Sequence, residues 1–356
     1  MRIAAFTKYD REAASTRQRV LQYVPALAAA GYELSHYPLL GNDYVRSLAN
    51  GASVSPGSVG AAYLRRFSQL FAGPECDLVW VYAEAFPYLP AWFERLLLNT
   101  GKPVVYDFDD AFFVTYDEHP DYWVRRLLAG KLEPLIAGAR AVCCGNSYLL
   151  DYAQRFNSQS MLLPTVVDTD IYVPITKRNS DPLVIGWIGS PSTWDEVRPV
   201  LPILERLCRD HGLRFRAVGA GIAVEADRFE GMELVEWSEA TEVAEVQKFD
   251  IGIMPLRDLP FQRGKSGYKL VQYMACGLPV VASPVGVNNE MVVEGSNGFL
   301  AADQQDWTDT LTQLIEDASL RARMGEVGRR RAVHDYSLRA HAPRLVDLFR
   351  SLARPR

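Results

Sequence analysis

The residues that could bind a phosphate group lie in the stretch FQRGKSGYKLVQYMACGLPVVA. Gly264, Lys265 and Ser266 match the second half of a P-loop, G-x-x-x-x-G-K-[ST]. The first glycine of that motif would fall on Leu259, which Pro260 follows. Because a leucine followed by a proline cannot form the glycine-rich turn, the sequence does not predict a P-loop.

The same stretch nevertheless predicts a phosphate site at the start of a helix. An apolar strand pattern ends before it, a helical pattern begins near Ser266 or Gly267, and Gly277 stops that pattern. The free N–H groups at a helix N-terminus, together with Lys265 and Lys269, form a site for a diphosphate. Two lysines in a first helical turn are unfavourable without an anion, which favours a ligand over two solvent-exposed side chains.

Short apolar runs alternate with helical patterns along the whole chain, which indicates parallel α/β sheets covered on both faces. The predicted helices include Arg17–Ala30, Ala91–Asn99 and Arg198–Arg209. The predicted strands are Ile3–Thr7, Leu78–Tyr82, Val104–Tyr106, Ala141–Cys144, Leu162–Leu163, Leu183–Ile188, Arg214–Val218, Leu234–Trp237, Ile251–Pro255, Val280–Ala282 and Phe299–Leu300. The polar segment PITKRNSDP, residues 174–182, predicts the boundary between two domains of about 170 residues each.

Composition excludes several classes of protein. The 356 residues carry a formal net charge of −5, which argues against nucleic acid as a partner. No apolar run reaches the roughly 20 residues needed to span a bilayer, and no signal peptide is recognised. The five cysteines show neither C-x-x-C nor zinc spacing, so we expect reduced thiols and a cytoplasmic location.

Two arginine pairs and the tail ARPR are the basic clusters of the chain. Arg65-Arg66, Arg125-Arg126 and the tail are most simply scattered, solvated charge. The alternative is peripheral contact with an anionic membrane or with an acidic acceptor.

The stretches GYKLVQYMACGLPVVASPVGVNNEMV and GSNGFL resemble the C-terminal signature of the GT-B glycosyltransferases of family 4, the glycosyl transferases of group 1. PVVYDFDDAFF and LPTVVDTDIY are similar to a subgroup of that family. The resemblance implies an α/β fold of two Rossmann-like, doubly wound domains with an interdomain cleft. Residues 1–175 would then form the acceptor-side domain, with a C-terminal helix at about 338–356 packing back onto it. Residues 176–337 would bind the nucleotide-sugar.

The chain departs from the family pattern at the E-x7-E motif, whose glutamates fall on Gly264 and Gln272. It therefore resembles a variant subgroup without these two carboxylates. Gln272 can still donate to and accept from the ribose hydroxyls, but without a charge. The family's phosphate-binding Arg and Lys are also missing, and Lys265 and Lys269 would supply the positive charge.

Further donor-binding residues follow from glycine turns after strands and from the resemblance. Backbone N–H groups at Gly189 and Ser190 could approach a phosphate, although an ordinary βα turn is the equal alternative. Gly219 would let a base or ribose come close to the backbone, and Trp237 would line the base pocket or belong to the core. The resemblance adds Glu290 beside the donor sugar. The remaining donor-side candidates are Arg17, Ser266, Gly267, Tyr268 and Gln272.

Asp109 and His119 are the candidate acid/base residues. Asp107 and Asp109 form a D-x-D motif, which binds a divalent metal in another glycosyltransferase fold, but its place in the first half argues against metal use. In the resemblance, Asp109 falls where many members carry a histidine beside the reacting centre, so its carboxylate could orient or deprotonate the acceptor hydroxyl. The helix-cap role is the alternative for Asp109, and a plain surface histidine is the alternative for His119.

The expected function is retaining, metal-independent transfer of a hexose from a nucleotide-diphosphate sugar to a hydroxyl of a glycan, lipid-linked or small-molecule acceptor, as in polysaccharide biosynthesis. No cofactor is expected. Two alternatives remain: a GT-B sugar-nucleotide epimerase, and a non-catalytic protein that binds sugar-nucleotides or glycans. Aromatic residues of the first half favour an acceptor surface over an epimerase; they are Phe86, Tyr88, Trp92, Phe112, Phe113, Tyr122 and Trp123.

Overall fold

The computed structural model describes residues 1–49, 51–71, 75–176 and 182–353. It divides the chain into two compact units, each with its own parallel sheet. The first unit contains Met1–Thr165, Arg263–Ser266 and His341–Arg356, and the second contains Val166–Gln262 and Gly267–Ala340. The predicted linker includes residues 177–181, which lie outside the described residues, whereas the division between the units falls at Thr165 and Val166.

The sheet of the first unit has the strand order β2-β1-β3-β4-β5-β6, and its strands pair in parallel. The five-residue runs of β3 and β4 are buried along their whole length, as strands covered by helices on both faces must be. The strands are β1 (Arg2–Tyr9), β2 (Glu33–Leu40), β3 (Leu78–Tyr82), β4 (Val104–Phe108), β5 (Ala141–Cys144) and β6 (Ser160–Leu162).

The helices of the first unit connect these strands. They are α1 (Ala14–Arg19), α2 (Val24–Ala29), α3 (Asn42–Ala49), α4 (Pro56–Phe71), α5 (Ala91–Leu98), α6 (Phe112–Asp117), α7 (Tyr122–Leu128), α8 (Glu133–Gly138) and α9 (Ser147–Gln154), with a 3-10 turn at Leu21–Tyr23. The predicted helix Arg17–Ala30 is thus broken, because Pro25 cannot donate a hydrogen bond within a continuous helix.

The sheet of the second unit has the order β12-β11-β10-β7-β8-β9, again with parallel pairs. Its order reverses between β10 and β7, which is the position where doubly wound sheets bind ligands. The strands are β7 (Val184–Ile188), β8 (Arg214–Val218), β9 (Met232–Val235), β10 (Ile251–Met254), β11 (Val280–Ala282) and β12 (Gly298–Leu300).

The helices of the second half begin with three 3-10 segments and one long helix. The 3-10 segments are Pro191–Glu196, Arg198–Val200 and Ile222–Asp227. The α-helices are α10 (Leu201–His211), α11 (Glu242–Val246), α12 (Pro260–Arg263), α13 (Tyr268–Ala275), α14 (Asn288–Met291), α15 (Gln304–Glu316), α16 (Ala318–Asp335) and α17 (Leu338–Ala353). From His341 onward α17 groups with the first unit, where the buried Phe349 ring meets Trp80 edge-on at 5.3 Å.

β2 is the strand that the sequence pattern did not indicate. It is an edge strand whose run ELSHYPLL contains Pro38 and His36, residues that demote a strand in sequence reasoning. An edge position tolerates the proline because only one side of the strand needs a full ladder of hydrogen bonds. No helix among the described residues is long and apolar enough to cross a bilayer.

Candidate functional site

Three of the predicted donor-binding residues meet at the carboxyl edge of the second sheet. Gly219 follows β8 with φ at 78°, and a Cβ atom there would lie 2.3 Å from the carbonyl oxygen of Gly189 and 3.0 Å from Cβ of Trp237. Only glycine permits both this left-handed conformation and this close approach. The turns after β7, β8 and β9 are therefore packed against one another.

The two backbone N–H groups predicted to approach a phosphate after β7 already have acceptors. Gly189 N donates to Val218 O at 3.0 Å, and Ser190 N donates to the Thr193 hydroxyl at 3.2 Å. Ser190 is the N-cap residue of the following 3-10 segment and forms a capping box with Thr193. The turn is an ordinary capped connection, and its N–H groups are not open donors for a diphosphate.

The amino end of α13 follows β10 and α12 in the chain, and β10 is one of the two strands between which the second sheet reverses its order. Gly267 is the N-cap residue with φ at 68°, and no side chain caps this helix among the described residues. A Cβ atom on Gly267 would lie 2.4 Å from Sδ of Met291 and 2.9 Å from Cγ1 of Val287. The absence of a side chain at Gly267 therefore lets α14 pack closely against the start of α13, where the first-turn residues Tyr268 and Lys269 are half-buried.

Lys269 and Glu290 are both presented by this pair of helices. The ammonium group of Lys269 lies over the Trp187 ring, 5.6 Å from its centroid. Glu290 is exposed on α14, and its backbone carbonyl accepts from Arg331 at 2.7 Å. The neighbouring Asn288 is fully buried and donates to Ser283 O at 3.0 Å. The VNNEM turn is thus fixed next to the amino end of α13, and the predicted contact of Glu290 with a donor sugar stays a prediction.

Gln272 occupies a buried polar cluster instead of an open position on α13. Its amide nitrogen donates to Glu242 at 2.9 Å and to the hydroxyl of Tyr172 at 3.1 Å, and the side chain is 3% exposed. Trp237 Nε1 also donates to Glu242, at 2.6 Å. The expectation that Gln272 itself contacts a ribose needs correction, because burial and these two bonds turn its amide nitrogen inward.

Glu242 and Tyr172 were missed by sequence reasoning. Glu242 is a buried carboxylate that joins Trp237, Gln272 and Tyr172, whose hydroxyl donates to it. A short polar stretch ending a strand, EWSEATE, gave no sign of which carboxylate turns inward.

The segment Arg263–Ser266, which carries the predicted Lys265, belongs to the first unit. The Lys265 ammonium lies 3.0 Å from the Asp110 carboxylate, and both side chains are about a quarter exposed, at 25% and 24%. The Asn146 amide donates to the carbonyls of Gly264 and Lys265, each at 2.9 Å. Lys265 and Lys269 thus have different surroundings, although the sequence predicted that they act together.

Gly264 has no room for a side chain. A Cβ atom there would lie 2.5 Å from Cβ and 2.7 Å from the backbone nitrogen of Ala111. Glycine therefore stands at the position of the first glutamate of the family motif, and its backbone packs closely against Ala111. This is a physical reason for glycine at the position.

Asp109 is held by two hydroxyl groups at the carboxyl end of β4. Its oxygens accept from Tyr82 at 2.6 Å and from Thr165 at 3.1 Å, and it is 5% exposed. The two hydroxyl groups fix the orientation of the carboxylate, and each of its oxygens has a second lone pair that can accept a further hydrogen bond. The amino end of α6 lies two residues further along the chain, so Asp109 is not its N-cap, which is Ala111.

The other aspartate of the D-x-D motif forms a buried ion pair. Asp107 accepts from the Arg19 guanidinium at 2.6 and 3.1 Å, and neither side chain is exposed. Burial raises the pKa of Asp107 to about 6, although Arg19 opposes this effect. Both carboxylates of the motif are therefore occupied by protein donors. The part of the chain described here contains no group of three or more His, Cys, Asp or Glu side chains that could hold a metal ion.

His119 lies between α6 and α7. Its Nδ1 accepts from the backbone N–H of Asp121 at 3.0 Å, so the neutral ring carries its proton on Nε2. In that tautomer Nε2 donates a hydrogen bond and cannot act as a general base. His119 fits a binding role better than the acid/base role considered from the sequence.

The arginines predicted to reach a ligand or a membrane are largely bound within the first unit. Arg17 donates to the carbonyls of Arg11 and Glu12, at 3.0 and 2.9 Å. Arg66 is fully buried and donates to Thr7 O and Tyr37 O, which excludes it from a surface patch. Arg65 donates to Leu39 O at 2.7 Å.

Comparison with known proteins gives a family match in the second half of the chain. Residues 182–317 match the family model described as Glycosyl transferases group 1. A D-inositol 3-phosphate glycosyltransferase of Corynebacterium urealyticum is 36% identical over 108 residues, which are 30% of this chain and 24% of that protein. The chain spans less than two thirds of the length of the curated relatives that it matches.

Solved structures share the fold over the whole chain. Sucrose-phosphate synthase from Thermosynechococcus elongatus has a TM-score of 0.76 at 16% identity, covering 99% of this chain and 98% of its own. The Anabaena protein HepE, solved in complex with UDP, has a TM-score of 0.72 at 16% identity, covering 99% and 100%. With its two parallel sheets, the chain has the GT-B fold, and its residues 182–317 match the family model of the glycosyl transferases of group 1.

Proposed function

We propose that this protein is a retaining, metal-independent glycosyltransferase that moves a hexose from a nucleotide-diphosphate sugar to an acceptor hydroxyl in the cytoplasm. The observation that carries the proposal is the amino end of α13. It has no side-chain cap, it follows the strand at which the sheet of the second unit reverses, and Lys269 lies in its first turn. Such an end offers N–H groups and a partial positive charge to a phosphate.

The amino end of α13 would stabilise the departing diphosphate. Helix N–H groups and the Lys269 ammonium would neutralise the charge that develops as the bond to the sugar breaks. The packed turns at Gly189, Gly219 and Trp237 would let the nucleoside approach the backbone. HepE is solved with UDP, which supports uridine diphosphate as the first nucleotide to test.

On the acceptor side, the proposal assigns Asp109 the role of orienting or deprotonating the acceptor hydroxyl. Two hydroxyl donors hold the carboxylate in one orientation, which supports a role in positioning the acceptor hydroxyl. We expect Asp109→Asn to lower the transfer rate by about a hundredfold or more, because general-base catalysis typically contributes factors of that size. Nucleotide affinity should not change.

A two-stage experiment tests the proposal. Thermal shift with uridine, guanosine, adenosine and thymidine diphosphates should identify one that stabilises the protein by mass action. The corresponding sugar nucleotides are then incubated with the protein, and released nucleotide and product anomer are followed by NMR. Slow hydrolysis or transfer with retention supports the proposal.

The other outcomes separate the alternatives. Epimerisation without transfer would identify a sugar-nucleotide epimerase, and binding without turnover would identify a non-catalytic binding protein. Failure of all four nucleotides to bind would overturn the proposal, since the amino end of α13 would then have no phosphate ligand.

A further inference from the structure

The loop that follows β3, Ala83–Tyr88, lies at the point where the sheet of the first unit reverses its order. β1 and β3 are neighbours there although β2 separates them in the chain. The Lys8 ammonium near the end of β1 lies 3.4 Å from the Glu84 carboxylate in this loop. Doubly wound sheets bind ligands outside the carboxyl ends of the strands at such a point.

This loop carries backbone strain at both ends. Ala83 has φ at 61° and Tyr88 has φ at 56°, and these two are the non-glycine residues with positive φ in the described part of the chain. Each costs about 1–2 kcal/mol relative to an ordinary conformation. Strain of this kind persists only where surrounding contacts enforce it, and it concentrates at functional sites.

Buried side chains bind the backbone of the loop at successive positions. Glu94 accepts from Ala85 N at 3.3 Å and from Phe86 N at 2.9 Å. Lys131 donates to Phe86 O at 2.7 Å and to Glu84 at 3.3 Å. A buried carboxylate and a buried ammonium are costly to desolvate. Their use here to hold loop backbone indicates that the conformation of the loop matters.

Tyr116 connects this buried network to Tyr88. Its hydroxyl accepts from Tyr88 N at 3.0 Å and donates to Glu84. The Tyr116 ring also meets the Tyr88 ring edge-on at 5.5 Å. Together these contacts fix the strained residue Tyr88, while its own ring remains 55% exposed.

The exposed Tyr88 ring is accompanied by a hydrogen-bond donor. The His119 ring lies 6.4 Å from it, at an interplanar angle of 86°. Because His119 Nδ1 is occupied by the Asp121 N–H, the neutral ring offers Nε2–H to a ligand. A rigid aromatic face beside a polar donor matches a sugar ring, whose C–H groups pack on the aromatic face while its hydroxyl groups form hydrogen bonds.

We infer that Tyr88, with His119 beside it, binds a pyranose ring of the acceptor, so that the acceptor is a carbohydrate. The inference rests on the proposed function, because the bound sugar is an acceptor only if the protein is a glycosyltransferase. A membrane surface suits this place less well, because Asp117, Glu118 and Asp121 all lie within two residues of His119 in the chain and would repel anionic lipids, and they outnumber Arg125, which donates to the His119 carbonyl.

Saturation-transfer NMR with methyl glucopyranoside, galactopyranoside and mannopyranoside tests the site directly. At least one of the three should show transfer to its ring protons with the unchanged protein. Tyr88→Gly, which removes the ring and relieves the positive φ, should abolish that signal. Tyr88→Phe keeps the ring and should retain it. Tyr32→Ala, a partly exposed tyrosine before the amino end of β2, is the matched control and should retain it.

Kinetics then separate this inference from the proposed function. Tyr88→Gly should raise the acceptor KM about tenfold, the size of one lost ring contact, and leave donor hydrolysis unchanged. Loss of both transfer and donor hydrolysis in Tyr88→Gly would refute the assignment to the acceptor. Glycoside binding by Tyr88→Gly as strong as that by the wild type would also refute it, and so would a wild type that binds none of the three glycosides. Failure of the proposed function would instead show as lack of nucleotide binding in the wild type.

Tyr116 is a positioning residue in this scheme, and a double-mutant cycle tests it. Tyr116→Phe loses the hydroxyl that accepts from Tyr88 N but keeps the ring. It should raise the acceptor KM severalfold in the wild-type background and have no further effect in Tyr88→Gly. A purely structural role would give the same change in both backgrounds, and that result would contradict positioning.

Discussion

At the scale of single residues, Lys269 and Lys265 should differ in their effect on nucleotide binding. Lys269 belongs to the first turn of α13, whereas Lys265 is paired with Asp110 in the other unit. Lys269→Ala should weaken uridine diphosphate binding about tenfold or more, the size of a charge-assisted contact, as measured by titration calorimetry.

Lys248→Ala is the matched control, since that lysine is exposed and pairs with Glu245. It should leave the affinity unchanged. Equal affinities for the Lys269→Ala protein and the wild type would remove Lys269 from the phosphate site.

Glu196 gives a pH-dependent prediction. Burial raises the pKa of its carboxyl group, but hydrogen bonds from Arg257 and Gln262 outweigh that effect and hold the pKa below 4.5. The ionised form therefore stabilises the folded state above pH 4.5, and this stabilisation is lost as the pH falls through the lowered pKa. Glu196→Gln should reduce the free energy of unfolding by about 1 kcal/mol at pH 7.

Melting curves of Glu196→Gln and the wild type between pH 7 and 3.5 would check this. The difference in Tm should shrink steadily below pH 4.5, because the wild-type carboxylate becomes protonated. A difference that stayed constant over the whole range would mean that the charge on Glu196 does not contribute.

Sequence reasoning found candidate residues better than it found their surroundings. Gly219 was predicted from a glycine turn after a strand and Gly267 from the start of a helical pattern, and each has a positive φ. The direction in which a side chain turns depends on distant contacts, so the burial of Gln272 against Glu242, 30 residues away, could not be read from the motif. The same holds for Arg66, whose arginine pair looked like solvated charge.

At the scale of elements, the segment before α13 should reject the glutamate that the family carries. Gly264→Glu would force a side chain into the backbone of Ala111, which lies 2.7 Å from the added Cβ. We expect a loss of about 2 kcal/mol or more in stability, by analogy with overpacked cores, and no gain in transfer activity.

Gly60→Ala is the control for this substitution, because nothing lies within 4 Å of a Cβ at that position in α4. An alanine within a helix should be neutral or slightly stabilising. A Gly264→Glu protein with the wild-type Tm and higher activity would contradict this prediction. It would show that a glutamate fits at position 264 and that transfer benefits from its carboxylate.

Asn146 holds the same segment and also begins α9. Its carbonyl oxygen accepts from Leu149 N, and its amide donates to Gly264 O and Lys265 O. Asn146→Ala should lower the free energy of unfolding by about 2 kcal/mol, combining a lost helix cap with unpaired buried carbonyls. Urea denaturation measures this.

Asn146→Ser separates the two contributions, since serine caps a helix but cannot reach both carbonyls as an amide does. The serine variant should recover the helix cap, and its free energy of unfolding should lie between those of the alanine variant and the wild type. A serine variant as stable as the wild type would show that the bonds to Gly264 and Lys265 add nothing.

The strands were the elements most readily predicted, because buried parallel strands are continuous apolar runs. β3, β5, β8 and β11 have the bounds that the sequence indicated. Elements shaped by proline were harder. Pro25 divides the first helix, and Pro199 and Pro202 move the start of α10 to Leu201.

At the scale of the whole molecule, the two units have separate sheets, and from His341 onward the C-terminal helix belongs to the first unit. Leu345 and Phe349 of α17 are fully buried, with Phe349 against Trp80 of β3. Phe349→Ala should therefore destabilise the first unit by about 3–5 kcal/mol, the usual result of deleting a buried aromatic ring. Arg350 is the next residue, and its side chain is exposed. Arg350→Ala should therefore change the free energy of unfolding by no more than about 0.5 kcal/mol.

Hydrogen exchange followed by mass spectrometry can resolve that prediction by unit. In Phe349→Ala, N–H groups of β3 should exchange faster, while those of β7 and β10 keep their wild-type protection. A saturating nucleotide diphosphate should protect the amino end of α13 and the strands of the second unit, because a ligand stabilises the unit that binds it. Equal loss of protection in both sheets would mean that the units unfold as one, and protection confined to the first unit would place the phosphate site elsewhere.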